Sequence, residues 1–325
     1  MRDLAIRIHR TGGPDTLAAD EITVPPPGPG EAQIQQASVG VNFIDVYHRA
    51  GVYPLALPTG IGSEAAGTVA AVGPGVTTVA AGDRVAYAGG APGAYATRRN
   101  VPAERLVKVP AGIGLDIAAA AMLKGMTVEY LIHRTFPVTP GMCVLWHAAA
   151  GGVGLIAGQW LKHLGATAIG TVGGEAKAAL ARAHGYAHVI DYSREDFPTR
   201  VREITGGAGV PVVFDAVGKT TFDGSLRSLA RRGTLVSFGN ASGKPEAFDP
   251  LVLSQRGSLY LTRPTLGDYT ATRAELEASA AALFDVITKG AVQIEISARY
   301  PLGEAARAHA DLEARKTTGS LLLVP

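Results

Sequence analysis

Apolar and polar positions alternate along this chain in two rhythms. Up to about residue 122, runs such as "EAQIQQASVG" and "AAGTVAAVG" switch character at nearly every position, between strings such as "PPPGPG" and "GPGV". Successive strand side chains point to opposite faces, so this rhythm predicts short strands joined by tight turns, a β-rich domain. The opening "MRDLAIRIHR" has the same alternation.

Between about residues 123 and 262 the rhythm changes. Apolar strand candidates ("CVLWHA", "ATAIGTVG", "HVIDY", "VPVVFDAVG", "GTLVSFGN", "GSLYLT") alternate with helical stretches ("GLIAGQWLKHLG", "EAKAALARAHG", "FDGSLRSLARRG"). Regular strand–helix alternation predicts a parallel sheet covered on both faces. The last segment reads helix ("TRAELEASAAALFDVITKG"), strand ("VQIEISARYPL"), helix ("GEAARAHADLEARK") and strand ("GSLLLVP"). Its mixed content does not extend the alternation and predicts a return to the first domain. The expected division is therefore 1–122 with 263–325, and 123–262.

Composition supports two compact domains: 325 residues, 47% hydrophobic and 18% charged, with a mean hydropathy of +0.17. A net charge of +2 without any Lys/Arg block argues against nucleic acid as the main partner. No apolar run approaches the ~20 residues that span a bilayer, and the start lacks the apolar core and cleavage site of a signal peptide. The expectation is a cytoplasmic protein. Cys143 is the single cysteine, so an internal disulfide or a thiolate metal cluster is impossible, and its apolar surroundings read as a small buried hydrophobe. His184 and His188 stand four residues apart, but the eight histidines form no larger cluster, and the expected metal set is none.

The chemistry concentrates in "HAAAGGVG", residues 147–154, which follows a strand and opens a helix. Gly151 lets the backbone approach a pyrophosphate, Gly154 lets the helix pack close to the sheet, and the helix N-terminus offers free N–H groups to phosphates. A Rossmann dinucleotide site is the reading, against a tight turn without a ligand. The first loop position is Ala149, which must keep a backbone conformation open to L-residues. NAD sites place a carboxylate about 20 residues further on, for the ribose 2′-hydroxyl. Here the strand ends at Gly173, which leaves room for a 2′-phosphate; Lys177 adds positive charge and Tyr192 a hydroxyl. NADPH is favoured over NADH. Glu175 is the dissenting carboxylate, either a contact for a 2′-hydroxyl or a solvated turn residue.

The strings "GVNFIDVYHRAGVYP", "GSEAAGTVAAVGPGV", "AAAMLKGMTVEYL", "HAAAGGVGLIAGQW", "RRGTLVSFGNASG" and "GSLYLTRPTL" resemble, over essentially the whole chain, the medium-chain dehydrogenase/reductase superfamily. Within it they resemble the zinc-independent quinone oxidoreductases. The resemblance implies a Rossmann doubly wound parallel-sheet domain beside a β-rich GroES-like catalytic domain. In zinc-dependent members a Cys and a His bind the catalytic metal; the matching positions here hold Asn42 and Ser63, whose amide and hydroxyl are poor zinc ligands. An alcohol needs a Lewis acid, whereas a quinone or activated enone accepts hydride with positioning and polarisation alone.

By resemblance, Asn42, Tyr47, Tyr53 and Arg263 surround an interdomain substrate cleft, Asn42 beside the nicotinamide ribose. Tyr53, Arg263 or water would stabilise the developing oxyanion. Against these roles stand plainer ones: pocket walls for the tyrosines, a satisfied turn for Asn42 and a domain-joint salt bridge for Arg263. Cofactor contacts carried over by position are Thr127, Tyr130, Gly152, Val153 and Phe238, Gly239 and Asn240, with Arg315 either reaching the 2′-phosphate or lying on a helix surface. The implied activity is NADPH-dependent reduction of a quinone; the alternatives are an enone or alkenal reductase, and an NADPH-binding crystallin-like protein with little turnover. A homodimer through the "GSLYLT" edge strand is also implied.

Overall fold

The computed structural model describes residues 3–325. The N-terminal part carries β1 (Asp3–Ile8), β2 (Leu17–Ile22), β3 (Glu31–Val41), α1 (Phe43–Arg49), β4 (Thr59–Gly60), β5 (Glu64–Val72), β6 (Arg84–Ala88), β7 (Arg98–Pro102), β8 (Val107–Lys108) and α2 (Leu115–Tyr130). The middle carries β9 (Cys143–Trp146), α3 (Gly152–His163), β10 (Thr167–Val172), α4 (Glu175–Ala183), β11 (His188–Asp191), α5 (Phe197–Ile204), β12 (Val210–Asp215), α6 (Phe222–Ser228), β13 (Leu229–Ser237), α7 (Leu251–Gln255), β14 (Tyr260–Thr262) and α8 (Leu266–Tyr269). The chain ends with α9 (Arg273–Thr288), β15 (Ile296–Pro301), α10 (Ala305–Glu313) and β16 (Ser320–Val324).

Two compact units result. One holds the chain up to Met126 with Tyr269–Thr288 and Ile294–Pro325; the other holds Thr127–Asp268 with Lys289–Gln293. The first is built on a seven-stranded sheet, whose main path runs β15-β16-β3-β5-β6-β8 with β7 on β3, and on a three-stranded sheet β2-β1-β4. The alternation in β3 and β5 buries Ala32, Ile34, Val39, Ala65 and Val69 beside Ile8, Ile61, Tyr87 and Tyr95. Terminal β16 enters this sheet antiparallel to β3, pairing Leu322 with Gly40.

The second unit is a six-stranded parallel sheet in the order β11-β10-β9-β12-β13-β14. Its winding reverses between β9 and β12, which makes the carboxyl ends of those strands the place for a ligand. Leu145, Ile169, Val213 and Leu235, one from each of the four central strands, form its buried middle. On α3 the buried Leu155, Ile156, Trp160 and Leu161 recur at helical spacing, the apolar stripe that a sheet-packed helix requires. The string "FDGSLRSLARRG", read from its pattern as one helix, does not stay helical. α6 stops at Ser228; Leu229 then pairs with Val210, and the ladder resumes at Thr234 with Val212 after a register shift. Arg232 in the left-handed region (φ 59) turns the chain inside that shift, donating its N–H to Gly257 O. Strand pairing has overridden helix propensity there.

Candidate functional site

Around the winding reversal, backbone geometry shapes a cradle. β9 ends at Trp146, and His147 N–H donates to Phe214 O on β12. The chain then turns through Ala148, the residue that adopts a positive φ (56). The left-handed strain thus sits at Ala148, while Ala149 is buried with its N–H on Thr171 O. Space for the Ala149 methyl comes from Gly170 on β10, where a Cβ would lie 2.7 Å away. Gly151 is the N-cap of α3, and the amides of Gly152, Val153 and Gly154 in its first turn precede any intrahelical acceptor. A Cβ on Gly154 would overlap Ala148 O and stand 2.7 Å from Ala149 C. Donor amides on a side-chain-free approach, at a helix N-terminus, fit a pyrophosphate.

Beneath the cradle lies a closed polar network. His147 contacts Thr171 Oγ1 (2.7 Å) through Nδ1 and Ser225 Oγ (3.0 Å) through Nε2, and Ser225 donates to Asp215 Oδ2 (2.8 Å). Since Ser225 spends its proton on Asp215, Nε2 carries the imidazole proton and Nδ1 accepts from Thr171. Burial lowers the His147 pKa against the opposing pull of Asp215, which keeps the ring neutral.

At the end of β10, Gly173 meets the ring of Tyr192: a Cβ there would be 2.8 Å from Tyr192 Oη. Tyr192 is 44% exposed, with its hydroxyl over the strand end. Lys177 is half-buried in the first turn of α4. Glu175 bonds Arg182 Nη1 (2.7 Å) along the same helix. Phe238 stacks against Trp146 with ring centroids 5.6 Å apart, Gly239 is buried in the following turn, and Asn240 lies against Gly218. Thr127 and Tyr130 are both buried near the end of α2. Arg263 donates Nη1 to Ser237 O (2.8 Å) at the end of β13. Arg315 belongs to the first unit, exposed and left-handed (φ 56) past the end of α10.

The first unit brings Asn42, Tyr47 and Tyr53 together on and beside α1. Asn42 is its N-cap; the N–H groups of Val52 and Tyr53 both return to Tyr47 O, and the two tyrosine rings meet edge-on at 5.3 Å. Asn42 N–H donates to Asp45 Oδ2 (2.9 Å), while its side-chain Nδ2 donates to Glu64 Oε2 (2.8 Å). Ser63 Oγ donates to Asp45 Oδ1 (3.1 Å) and Tyr95 Oη to Asp45 Oδ2 (3.0 Å). Burial pushes the Asp45 carboxyl up to about 7, against the opposing pull of the Asn42 N–H and the two hydroxyls, with Glu64 adding repulsion. Tyr95 continues to His309 Nε2 (2.9 Å), and His309 Nδ1 meets Arg49 Nη1 (3.2 Å). Arg49, itself buried, grips both carboxylate oxygens of Glu313 at 2.8 Å. Among the described residues no three His, Cys, Asp or Glu side chains converge as a metal site. Nor is any described helix long and apolar enough to cross a membrane.

Asp45, Tyr95, His309 and Arg49 do not stand out in the sequence, because their partners are remote in it. Lys124 does leave a trace: a lysine inside the apolar run "AAAMLKGM".

Comparison with known proteins places this geometry among relatives. A zinc-binding dehydrogenase family model matches residues 152–283, and an alcohol dehydrogenase GroES-like domain model matches 28–111. The chain is 51% identical to a quinone oxidoreductase of Pseudomonas aeruginosa, over 98% of this chain and 99% of that one. It is 46% identical to a 2-haloacrylate reductase of a Burkholderia species, over 99% of each. The structure of the Escherichia coli quinone oxidoreductase complexed with NADPH superposes with a TM-score of 0.98 at 48% identity, covering 99% of this chain and 100% of that one.

Proposed function

Since the chain belongs to the quinone oxidoreductases of the medium-chain dehydrogenase/reductase superfamily, we propose that it is an NADPH-dependent quinone reductase, working without zinc at a cleft between its two units. The observation that carries the cofactor half is the end of β10: Gly173 in place of a carboxylate, overhung by the Tyr192 hydroxyl, with Lys177 at the start of the next helix. A 2′-phosphate would find there a cation and a hydroxyl donor, with Glu175 engaged by Arg182 and Asp191 by the Gly174 and Ser193 N–H groups. Bound NADPH supplies a hydride from C4 of its dihydronicotinamide.

The chain's own residues bind, orient and polarise. The α3 amides of Gly152, Val153 and Gly154 hold the pyrophosphate, in a loop shaped by Ala149 and Gly151. Thr127, Tyr130, Phe238, Gly239 and Asn240 line the path of the remaining cofactor, and Arg315 adds charge for its phosphate. Asn42, fixed by Glu64 and Asp45, orients the ribose. Tyr47 and Tyr53 wall the acceptor with their rings, and the Tyr53 hydroxyl and Arg263 donate to its carbonyl oxygen. Amide and hydroxyl at positions 42 and 63 are a poor donor set for zinc.

The 2-haloacrylate reductase relative gives the second reading a specific footing: the acceptor is an activated alkene, with the hydride entering at its β-carbon. The dimer follows from β14, at one end of the six-stranded order, where Tyr260 is 61% exposed; pairing with a second copy would cover that edge. The site of action is the cytoplasm.

The test is oxidation of NADPH and NADH with a benzoquinone series and a 2-alkenal, using the wild type and Lys177→Ala. NADPH-selective quinone turnover, with the preference reduced about tenfold in the variant by loss of one charge-assisted contact, is expected. Turnover of the alkenal alone transfers the assignment to the second reading; NADPH binding without turnover of either acceptor overturns both.

A further inference from the structure

We propose that Lys124 is the fixed positive charge of the acceptor site, stabilising the negative charge that develops on the acceptor oxygen as hydride adds; this rests on the hydride-transfer function above. Lys124 lies on α2 amid Ala121, Met122 and Met126, all fully buried. Its side chain is 6% exposed and its Nζ is 3.2 Å from Oε2 of Glu64, which is 0% exposed. The same Oε2 accepts Asn42 Nδ2 at 2.8 Å, while Oε1 takes the Leu123 N–H at 2.6 Å. Ammonium and amide thus meet at one oxygen, beside the residue that orients the cofactor. Gly40 on β3 is what admits the pair, since a Cβ there would overlap Glu64 Oε2 and stand 2.5 Å from Ala119 O.

Neutralising Glu64 does not by itself account for the lysine. A buried ion pair is often no more stable than apolar residues of the same volume, so a retained pair calls for a reason beyond stability. The cluster's other carboxylate, Asp45, is held by hydroxyls and a backbone N–H. The nearby Arg49 is committed to Glu313, His309 and Gly12 O. Lys124 therefore supplies a cation, through Glu64, beside Asn42, one of the two positions where zinc relatives carry a metal ligand. An ammonium has three N–H donors, and the bond to Glu64 uses one. As the hydride bonds to the acceptor, an electron pair moves onto the acceptor oxygen and is met by this charge. The proton that completes reduction comes from solvent, the acceptor is reduced and NADPH is oxidised to NADP⁺.

The experiment compares the wild type with the charge-neutral double variant Lys124→Met, Glu64→Gln. For each it measures the thermal melt, NADPH affinity, kcat with a benzoquinone and a 2-alkenal, and the titration of 4-nitrophenol bound to cofactor-free protein. The Glu64→Gln amide keeps an oxygen for Asn42 Nδ2 but loses the charge, so the double variant's NADPH affinity is expected to fall by about threefold, less than kcat. Its kcat is expected to fall about tenfold for the quinone and more for the alkenal, whose oxyanion is less delocalised. Bound nitrophenol should ionise about one pH unit lower on the wild type than on the variant, a tenfold effect. Unchanged kcat for both acceptors in a folded variant overturns the proposal. So does nitrophenol that fails to bind the wild type saturably or titrates there as in free solution, a result that needs no variant. Wild type that shifts nitrophenol yet oxidises NADPH with neither acceptor sinks the hydride-transfer reading and leaves the cation standing.

Discussion

The two units bury polar clusters of different construction. In the nucleotide unit, Thr171, His147 and Ser225 lead in one direction of donation to Asp215, which also receives the N–H groups of Val217 (2.8 Å) and Gly218 (3.0 Å) and the Thr221 hydroxyl (2.9 Å). A carboxylate with that many donors needs no counter-cation, and a satisfied network of this kind fixes shape. In the other unit, Asp45, Glu64, Lys124, Arg49 and His309 are buried titratable groups, and Arg49 reaches out to the partly exposed Glu313. The first arrangement suits a rigid cradle for a phosphate; the second keeps charge beside Asn42, where, under the function proposed above, a reacting oxygen would feel it.

The sharpest way to break that contrast is at the cradle. Gly154→Val drives a branched side chain into Ala148 O and Ala149 C. Overpacking of up to ~3 kcal/mol against backbone is expected to weaken NADPH binding by about two orders of magnitude. A fluorescence titration checks it; affinity within threefold of wild type would mean that loop shape does not govern binding.

Next in size is Arg49→Met, which strips Glu313 and His309 of their buried partner. Because the carboxylate left behind is partly exposed and water can solvate it, the loss of these bonds is expected to lower stability by about 2 kcal/mol, read as a lower urea midpoint, with NADPH affinity unchanged. Adding Glu313→Gln should restore part of it. A loss of cofactor affinity without loss of stability would erase the division of labour between the clusters.

The same contrast explains what the sequence made legible. Strand alternation, the α3 stripe and the 147–154 loop are local patterns, and they predict the parallel sheet, the cradle and the position of Gly173 directly. The GroES-like unit likewise announces itself in short alternating strands. Locality also sets the limit. Ala149 keeps an ordinary backbone, as its residue type requires, while the left-handed Ala148, which the loop pattern does not mark, lies between the His147 bond to β12 and the Ala149 bond to β10. The Asp45 network escaped since His309 and Glu313 come from a helix near the opposite end of the chain. "LARRG" reads as helix and forms strand because β12 offers it a ladder.

A third effect is hidden in the wild type, in the pH dependence of stability. Asp45, raised by burial to about 7 from 3.8, keeps its proton when folded over a range where the unfolded chain has released it. Its contribution is full below 3.8 and is lost as pH rises through 7. His309, lowered to about 3 from 6.5 by burial and by Arg49, stays unprotonated when folded where the unfolded chain takes up a proton. Its contribution is full above 6.5 and is lost as pH falls toward 3. Each gives a slope of about 1.4 kcal/mol per pH unit, and the signs are opposite, so between 3.8 and 6.5 the two cancel. Asp45→Asn, whose amide can still accept from Tyr95, removes one slope and exposes the other. Its stability in urea should climb with pH between about 4 and 6.5 while the wild type stays nearly level. A level profile in the variant would show that His309 titrates alike in the folded and unfolded states, and that the Arg49 side of the cluster carries less buried charge than its geometry implies.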